Sequence, residues 1–120
     1  FKKVLDYTDG SGVDLVIELG GANTFKNSLK SIKIGGIIAL IGVLGGVVAE
    51  LPIGLAITKS AKIHSITCGP KKSLIELNKF LITKNINPIL DSSFSFDDLI
   101  SATKYMAQAK HIGKIIVKGL

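Results

Sequence analysis

The residues that could do chemistry in this chain are few and scattered. Cys68 comes before Gly69-Pro70, at a predicted strand end and a possible helix start, a setting that can lower a thiol pKa. A small buried cysteine in a sheet is the commoner case. His64 lies four residues earlier on the same strand, about 13 Å away at ~3.3 Å per residue, which is too far to share a zinc ion with Cys68. We therefore predict structural roles for His64, Cys68 and the remote His111.

Two charged residues lie at predicted strand ends. Glu18 closes the apolar run Leu15-Val16-Ile17, where the ligands of parallel sheets sit. No second carboxylate accompanies it, so no catalytic role is assigned. Lys114 follows Gly113 at the start of the last predicted strand, where its amine either reaches a phosphate or faces solvent. Spacing alone favours solvent.

The elements that must position these residues follow from hydrophobic patterning. Residues 13–18 and 37–43 are apolar on both faces, which is typical of parallel strands covered by helices. The order α-β-α-β-(α)-β-α-β-α-β predicts an α/β fold with a mostly parallel sheet. Further strands are predicted over 62–68, 92–96 and 114–118, and helices over 1–8, 23–33, from Pro70 to about Lys84, and behind the capping-box sequence Ser95-Phe96-Asp97-Asp98.

The helices have predicted inward faces. Phe25, Leu29 and Ile32 lie at i, i+4 and i+7 of the helix over 23–33, which Gly35-Gly36 is expected to end. In the two later helices the residues expected to face inward are Leu74, Leu77 and Leu81, then Leu99, Ala102, Thr103 and Met106.

Glycines follow both apolar strands. Gly20-Gly21 come after the first strand, and Gly42 and Gly45-Gly46 after the second. Glycine there permits a positive φ and close approach of backbone to a ligand, or simply caps a helix, and spacing leaves both interpretations open. The GxGxxG loop and the P-loop are absent.

The composition limits the classes of partner. The chain has 120 residues and a net charge of +6, with all fifteen basic residues being lysine. Scattered lysines without arginine indicate a solvated surface rather than a nucleic-acid site. No apolar run reaches the ~18 residues of a membrane span. One cysteine excludes an internal disulfide and fits a reducing cytoplasm.

The chain resembles a known superfamily. GVDLVIELGG with LKSIKIGGIIALIGVLGG is similar to the second half of the cofactor domain of medium-chain dehydrogenase/reductases, which include zinc-type alcohol dehydrogenases and zinc-free quinone oxidoreductases. KIHSITCG, FSFDD before a helix, and GKIIVK match the family's ending. The resemblance covers essentially the whole chain. It implies a Rossmann-like sheet with flanking helices and an NAD(P)-dependent oxidoreductase that moves hydride between nicotinamide and a carbonyl, alcohol or enone.

The resemblance also implies eight cofactor-binding positions, and no catalytic residue or metal ligand in this chain. These positions are Gly20 and Gly21 on the adenosine side, the backbone of Ile41, Gly42 and Val43 at the nicotinamide, the main chain of Thr67 and Cys68 at the carboxamide, and Lys114 near the pyrophosphate.

The phosphate loop, the catalytic domain and any zinc ligands would then lie upstream of Phe1. We expect one partial domain, with 1–90 as the C-terminal half of the Rossmann cofactor domain and 91–120 as a segment packed on the catalytic domain. The chain alone is expected to be inactive. Its partners would be a nicotinamide dinucleotide, a small-molecule substrate reached through the catalytic domain, and further copies in a cytoplasmic homo-oligomer, with no nucleic acid and no membrane.

Two other interpretations compete. A methyltransferase that uses S-adenosylmethionine also has an acidic strand followed by a helix and a GG-strand, so DLVIE and IKIGGIIALIG fit it locally. The FSFDDL helix followed by GKIIVK argues against it, because methyltransferase sheets usually end in an antiparallel hairpin. A non-catalytic nucleotide-binding or oligomerisation module is the third, since exposed strand edges favour pairing between chains.

Overall fold

A computed structural model describes residues 1–119, which divide into one compact unit of residues 1–68 and a second that begins at Gly69. Leu120, the last residue of the predicted segment 91–120, lies outside the described residues. Helices and strands alternate as predicted. The elements are α1 (Lys2–Tyr7), β1 (Val13–Glu18), α2 (Phe25–Ser31), β2 (Ile32–Leu40), α3 (Ile53–Thr58) and β3 (Lys62–Ser65) in the first unit, then α4 (Lys71–Thr83), β4 (Leu90–Ser95), α5 (Leu99–Ala107) and β5 (Lys114–Lys118) in the second.

The strands are parallel in both units. The first unit holds the sheet β1-β2-β3 and the second holds the pair β4-β5. The α/β class with parallel sheets and flanking helices is therefore confirmed, with the strands shared between two sheets. Glu18 pairs with Leu40 and Leu40 pairs with Ser65, so the carboxyl ends of the first three strands lie level.

The core of the first unit confirms the inward face of α2. Phe25 and Leu29 from α2 pack with Ile32 and Ile38 of β2, and Leu29, Ile32 and Ile38 are fully buried. The helix is shorter than predicted, because Ile32 is already extended (φ −73°, ψ 150°) and opens β2. β-Branched isoleucine favours a strand at that position.

The prediction that Gly35-Gly36 end a helix is wrong, because both lie inside β2. The register between β1 and β2 shifts there: Val13 pairs with Ile32, whereas Leu15 pairs with Ile37. Gly35 has φ +75°. The extra residues form a bulge, for which glycine is well suited. A strand bulge and a helix stop share the same glycine signature in sequence, which explains the error.

The second unit buries less than the sequence predicted. Ala102 is buried on α5, as expected, but Leu99 and Met106 are exposed, as are Leu74 and Leu77 on α4. Thr103 is also exposed and Leu81 is half-buried. Within residues 69–119 this unit's sheet has two strands, so its apolar surface covers little more than the face of α5 around Ala102.

Candidate functional site

Two turns at the level carboxyl edge of β1-β2-β3 are joined backbone to backbone. We call residues 19–22 and 41–46 the paired turns. Three main-chain hydrogen bonds link the two turns directly, and two more tie the second turn to Glu18 just before the first, so the two segments form one rim. The bonds run from the N–H groups of Ile41 and Gly42 to the carbonyl of Glu18 (2.9 and 3.1 Å), from Leu44 to Leu19 (3.3 Å), from Gly45 to Gly20 (2.6 Å), and from Ala22 to Gly46 (3.1 Å).

The glycines of the paired turns are required by this packing. Gly21 has φ +73°, and a Cβ there would lie 2.5 Å from the carbonyl oxygen of Gly46. A Cβ at Gly42 would overlap the carbonyl of Leu19. Real Cβ atoms do not approach that closely, so the two turns pack this tightly only with glycine at both positions. Sequence reasoning weighed ligand approach and helix capping, but not packing of one turn on the other.

Glu18 is the charged centre of this region. Its side chain is only 3 % exposed. Oε1 accepts hydrogen bonds from the N–H groups of Gly20 (2.7 Å) and Gly21 (2.9 Å) and from the Thr24 hydroxyl, and Oε2 accepts one from the Ser28 hydroxyl. Burial acts to raise the pKa of Glu18, but the hydrogen bonds from these four donors outweigh it, so the pKa lies below its usual 4.5.

Sequence reasoning noticed Glu18 but gave it no role. A role for Glu18 could have been predicted from Thr24 and Ser28. These two residues come after it in sequence and are four residues apart, so they lie on one face at the start of the helix that follows the turn. Hydroxyls on the helix face nearest a buried carboxylate are natural partners for it, because a buried charge must be hydrogen-bonded.

An apolar cleft of about 270 Å³ adjoins the paired turns. Its walls come from α2, from β2 and from the chain after the second turn, and Gly21, Val43 and Gly46 form its border with the turns. Such a surface accepts a flat apolar group beside the rim. The apolar residues that line it include Ala22, Phe25, Leu40, Val47 and Leu51.

Thr67 and Cys68 lie beyond β3 rather than in it. The predicted strand over 62–68 ends at Ser65, because its neighbour β2 ends at Leu40 and offers no further pairing; the last bond runs from the Ile66 N–H to the Leu40 carbonyl (2.9 Å). Cys68 is exposed, so its predicted burial in a sheet is wrong. Both residues come after the carboxyl end of β3, which is level with the strand ends that the paired turns follow.

Lys114 belongs to the second unit, where it opens β5 with its side chain exposed. Its N–H donates to the Ile89 carbonyl (2.9 Å). Gly113 before it has φ +98°, and a Cβ there would overlap the same carbonyl. Of the eight predicted positions, the structure thus joins five in the paired turns, places two just past β3, and puts Lys114 in the other unit.

Neither a metal site nor a membrane span is found in residues 1–119. No three His, Cys, Asp or Glu side chains of that range come together as metal ligands. The described residues therefore do not fit a zinc ion, and no zinc chemistry is assigned to them. None of the helices in that range has the length and apolar character needed to cross a membrane.

Level parallel strands with turns joined at their carboxyl edge define a Rossmann-like α/β protein. The sequence profile of the zinc-binding dehydrogenase family matches residues 1–117. The chain belongs to this family, which confirms the resemblance drawn from the sequence.

Individual relatives agree with this assignment. A zinc-type alcohol dehydrogenase-like protein of Schizosaccharomyces pombe is 32% identical over 118 residues, which are 95% of this chain and 34% of that protein. Among solved structures, an NAD-dependent alcohol dehydrogenase superposes with a TM-score of 0.81 at 23% identity, over 98% of this chain and 34% of the other.

A mycobacterial protein solved in complex with NADPH superposes with a TM-score of 0.70 at 22% identity, over 97% of this chain and 39% of its own. At these identities the two superpositions show a shared fold. The chain spans about a third of the length of the relatives it matches.

Proposed function

We propose that this chain is the cofactor-binding part of an NAD(P)-dependent oxidoreductase that transfers hydride between nicotinamide and a carbonyl, alcohol or enone substrate. The observation that carries the proposal is the rim formed by the paired turns at the level ends of three parallel strands. Ligands of such sheets bind at this edge. The family membership and the NADPH-bound fold relative support a nicotinamide dinucleotide as the ligand.

In this proposal the chain binds and orients the cofactor, which supplies the hydride when bound. The first of the paired turns, with Gly20 and Gly21, lies along the adenosine side, and the backbone of 41–43 faces the nicotinamide. Thr67 and Cys68 hold the carboxamide through their main chain, and Lys114 provides a positive charge for the pyrophosphate. The methyltransferase alternative is not favoured, because the family profile matches nearly the whole chain.

A fluorescence titration with NADH and NADPH tests this function on two samples. The complete polypeptide that contains this chain is expected to bind one of them with micromolar affinity. The 120-residue chain alone is expected to bind weakly or not at all, because its sequence has no glycine-rich phosphate loop. Failure of the complete polypeptide to bind either dinucleotide would refute the proposal. Micromolar binding by the isolated chain would show that the rim suffices without that loop.

A further inference from the structure

We infer that Glu18 is a positioning residue that fixes the paired turns against each other and so sets the shape of the rim on which the dinucleotide rests. This inference depends on the proposed function. The Glu18 side chain bonds to the backbone of Gly20 and Gly21, two of the predicted cofactor-binding residues, and it acts through the backbone that it holds.

The carboxylate of Glu18 holds the first turn. Oε1 lies 2.7 Å from the Gly20 nitrogen and 2.9 Å from the Gly21 nitrogen, and both N–H groups donate to it. These bonds direct the two amides toward the sheet, and they support the positive φ of Gly21. Hydrogen bonds to an ionised acceptor are shorter and stronger than neutral ones, so the turn is held firmly.

The main chain of the same residue holds the second turn. The Glu18 carbonyl accepts from the N–H groups of Ile41 (2.9 Å) and Gly42 (3.1 Å). One residue therefore bonds to both predicted ends of the cofactor site, with its side chain on one turn and its backbone on the other. Loss of the side-chain bonds would therefore free the adenosine-side turn to move relative to the nicotinamide-side turn.

Helix α2 locks the carboxylate in place. Thr24 and Ser28 donate from their hydroxyls, one to each oxygen. The groups that face the carboxylate are thus two amides and two hydroxyls, all uncharged. A glutamine at this position keeps the shape but must turn an NH₂ group toward Ser28, and it removes the charge that strengthens all four bonds. An aspartate is one methylene shorter, so it cannot reach the same donors from β1.

The decisive variant is Glu18→Gln in the complete polypeptide, measured by NADH or NADPH titration at about pH 7. We expect the Kd of the folded variant to rise about tenfold, as for the loss of one hydrogen bond to an ionised group. The matched control is Asp14→Asn on the same strand, because Asp14 is exposed and forms an ion pair with Lys33. The control is expected to keep the wild-type Kd.

A pH series separates positioning by the charge from a mere change of shape. Because the folded pKa of Glu18 is lowered, its stabilising effect is complete above the unfolded value near 4.5 and is lost as pH falls through the folded pKa. In urea unfolding from about pH 7 downward, the stability difference between wild type and Glu18→Gln should begin to shrink once the pH falls below the unfolded value near 4.5. A difference that stays constant with pH would contradict a role for the charge.

The outcomes are distinct. Wild-type protein that binds neither dinucleotide refutes the proposed function. Wild-type protein that binds, with a folded Glu18→Gln variant of equal Kd, refutes the positioning role alone. If Glu18→Gln does not fold, Ser28→Ala takes its place, because it removes only the bond to Oε2. Its Kd should rise about threefold, the effect of losing part of one charged hydrogen bond, and an unchanged Kd overturns the inference.

Discussion

Gly21→Ala is expected to destabilise the first unit by about 2–4 kcal/mol and to raise the Kd for NADH at least tenfold. Two costs combine at this position. The backbone has φ +73°, which is unfavourable for alanine, and the new Cβ would lie 2.5 Å from the Gly46 carbonyl oxygen and 2.9 Å from the Val43 Cα. The second contact forces the paired turns apart, so binding suffers together with stability. Urea unfolding and dinucleotide titration of the complete polypeptide measure the two effects.

Gly35→Ala is the matched control for this variant. Gly35 has nearly the same φ, +75°, but a Cβ there meets no atom within 4 Å. It therefore reports the backbone cost alone, about 1–2 kcal/mol, with the Kd unchanged. If Gly21→Ala and Gly35→Ala behaved alike in both assays, close packing of the turns would not be what requires glycine at position 21.

Leu29→Ala is expected to lower the free energy of unfolding by about 2–5 kcal/mol, the range for a buried leucine truncated in a core that cannot collapse around the gap. Leu29 is fully buried on α2, among Phe25, Ile32 and Ile38. The same helix carries Ser28, and Thr24 at its N-cap, toward Glu18. Loosening it should therefore also weaken dinucleotide binding.

The measurement for Leu29→Ala is urea unfolding, with Ile34→Ala as its control. Ile34 is 72% exposed on β2, so its truncation should change stability by no more than about 0.5 kcal/mol. A Leu29→Ala effect below about 1 kcal/mol would mean that α2 does not pack on the sheet as described.

Much of this fold could be predicted from local pattern. Apolar runs at 13–18 and 37–43 predict parallel strands, and the spacing of Phe25, Leu29 and Ile32 marks the covering helix face. The second strand begins earlier, at Ile32, and ends at Leu40, and the predicted burial of both faces is wrong for β1, where Leu15 and Ile17 are exposed. These signals depend on neighbours in sequence. The bulge at Gly35 could not be predicted from sequence neighbours, because it depends on the register in which β2 pairs with β1.

The candidate site could be predicted only in outline. The sequence shows glycines after two strands, but the bond between Gly45 and Gly20 exists only once β1 and β2 are level. The role of Glu18 likewise needs Ser28 to return to it through a helical turn, ten residues along the chain. Only the family resemblance predicts that Lys114 binds the cofactor, and no contact described for Lys114 within its own unit indicates a ligand.

The central claim is that the paired turns receive the nicotinamide dinucleotide. Amide NMR of the complete polypeptide labelled with ¹⁵N-glycine tests it most directly, because this chain has 13 glycines distributed inside and outside the turns. On titration with NADH or NADPH, the signals of Gly20, Gly21 and Gly42 should shift in proportion to occupancy. Those of Gly10, between α1 and β1, and of Gly54, in α3, should stay in place. Saturable binding that leaves the three turn glycines unmoved would contradict the account.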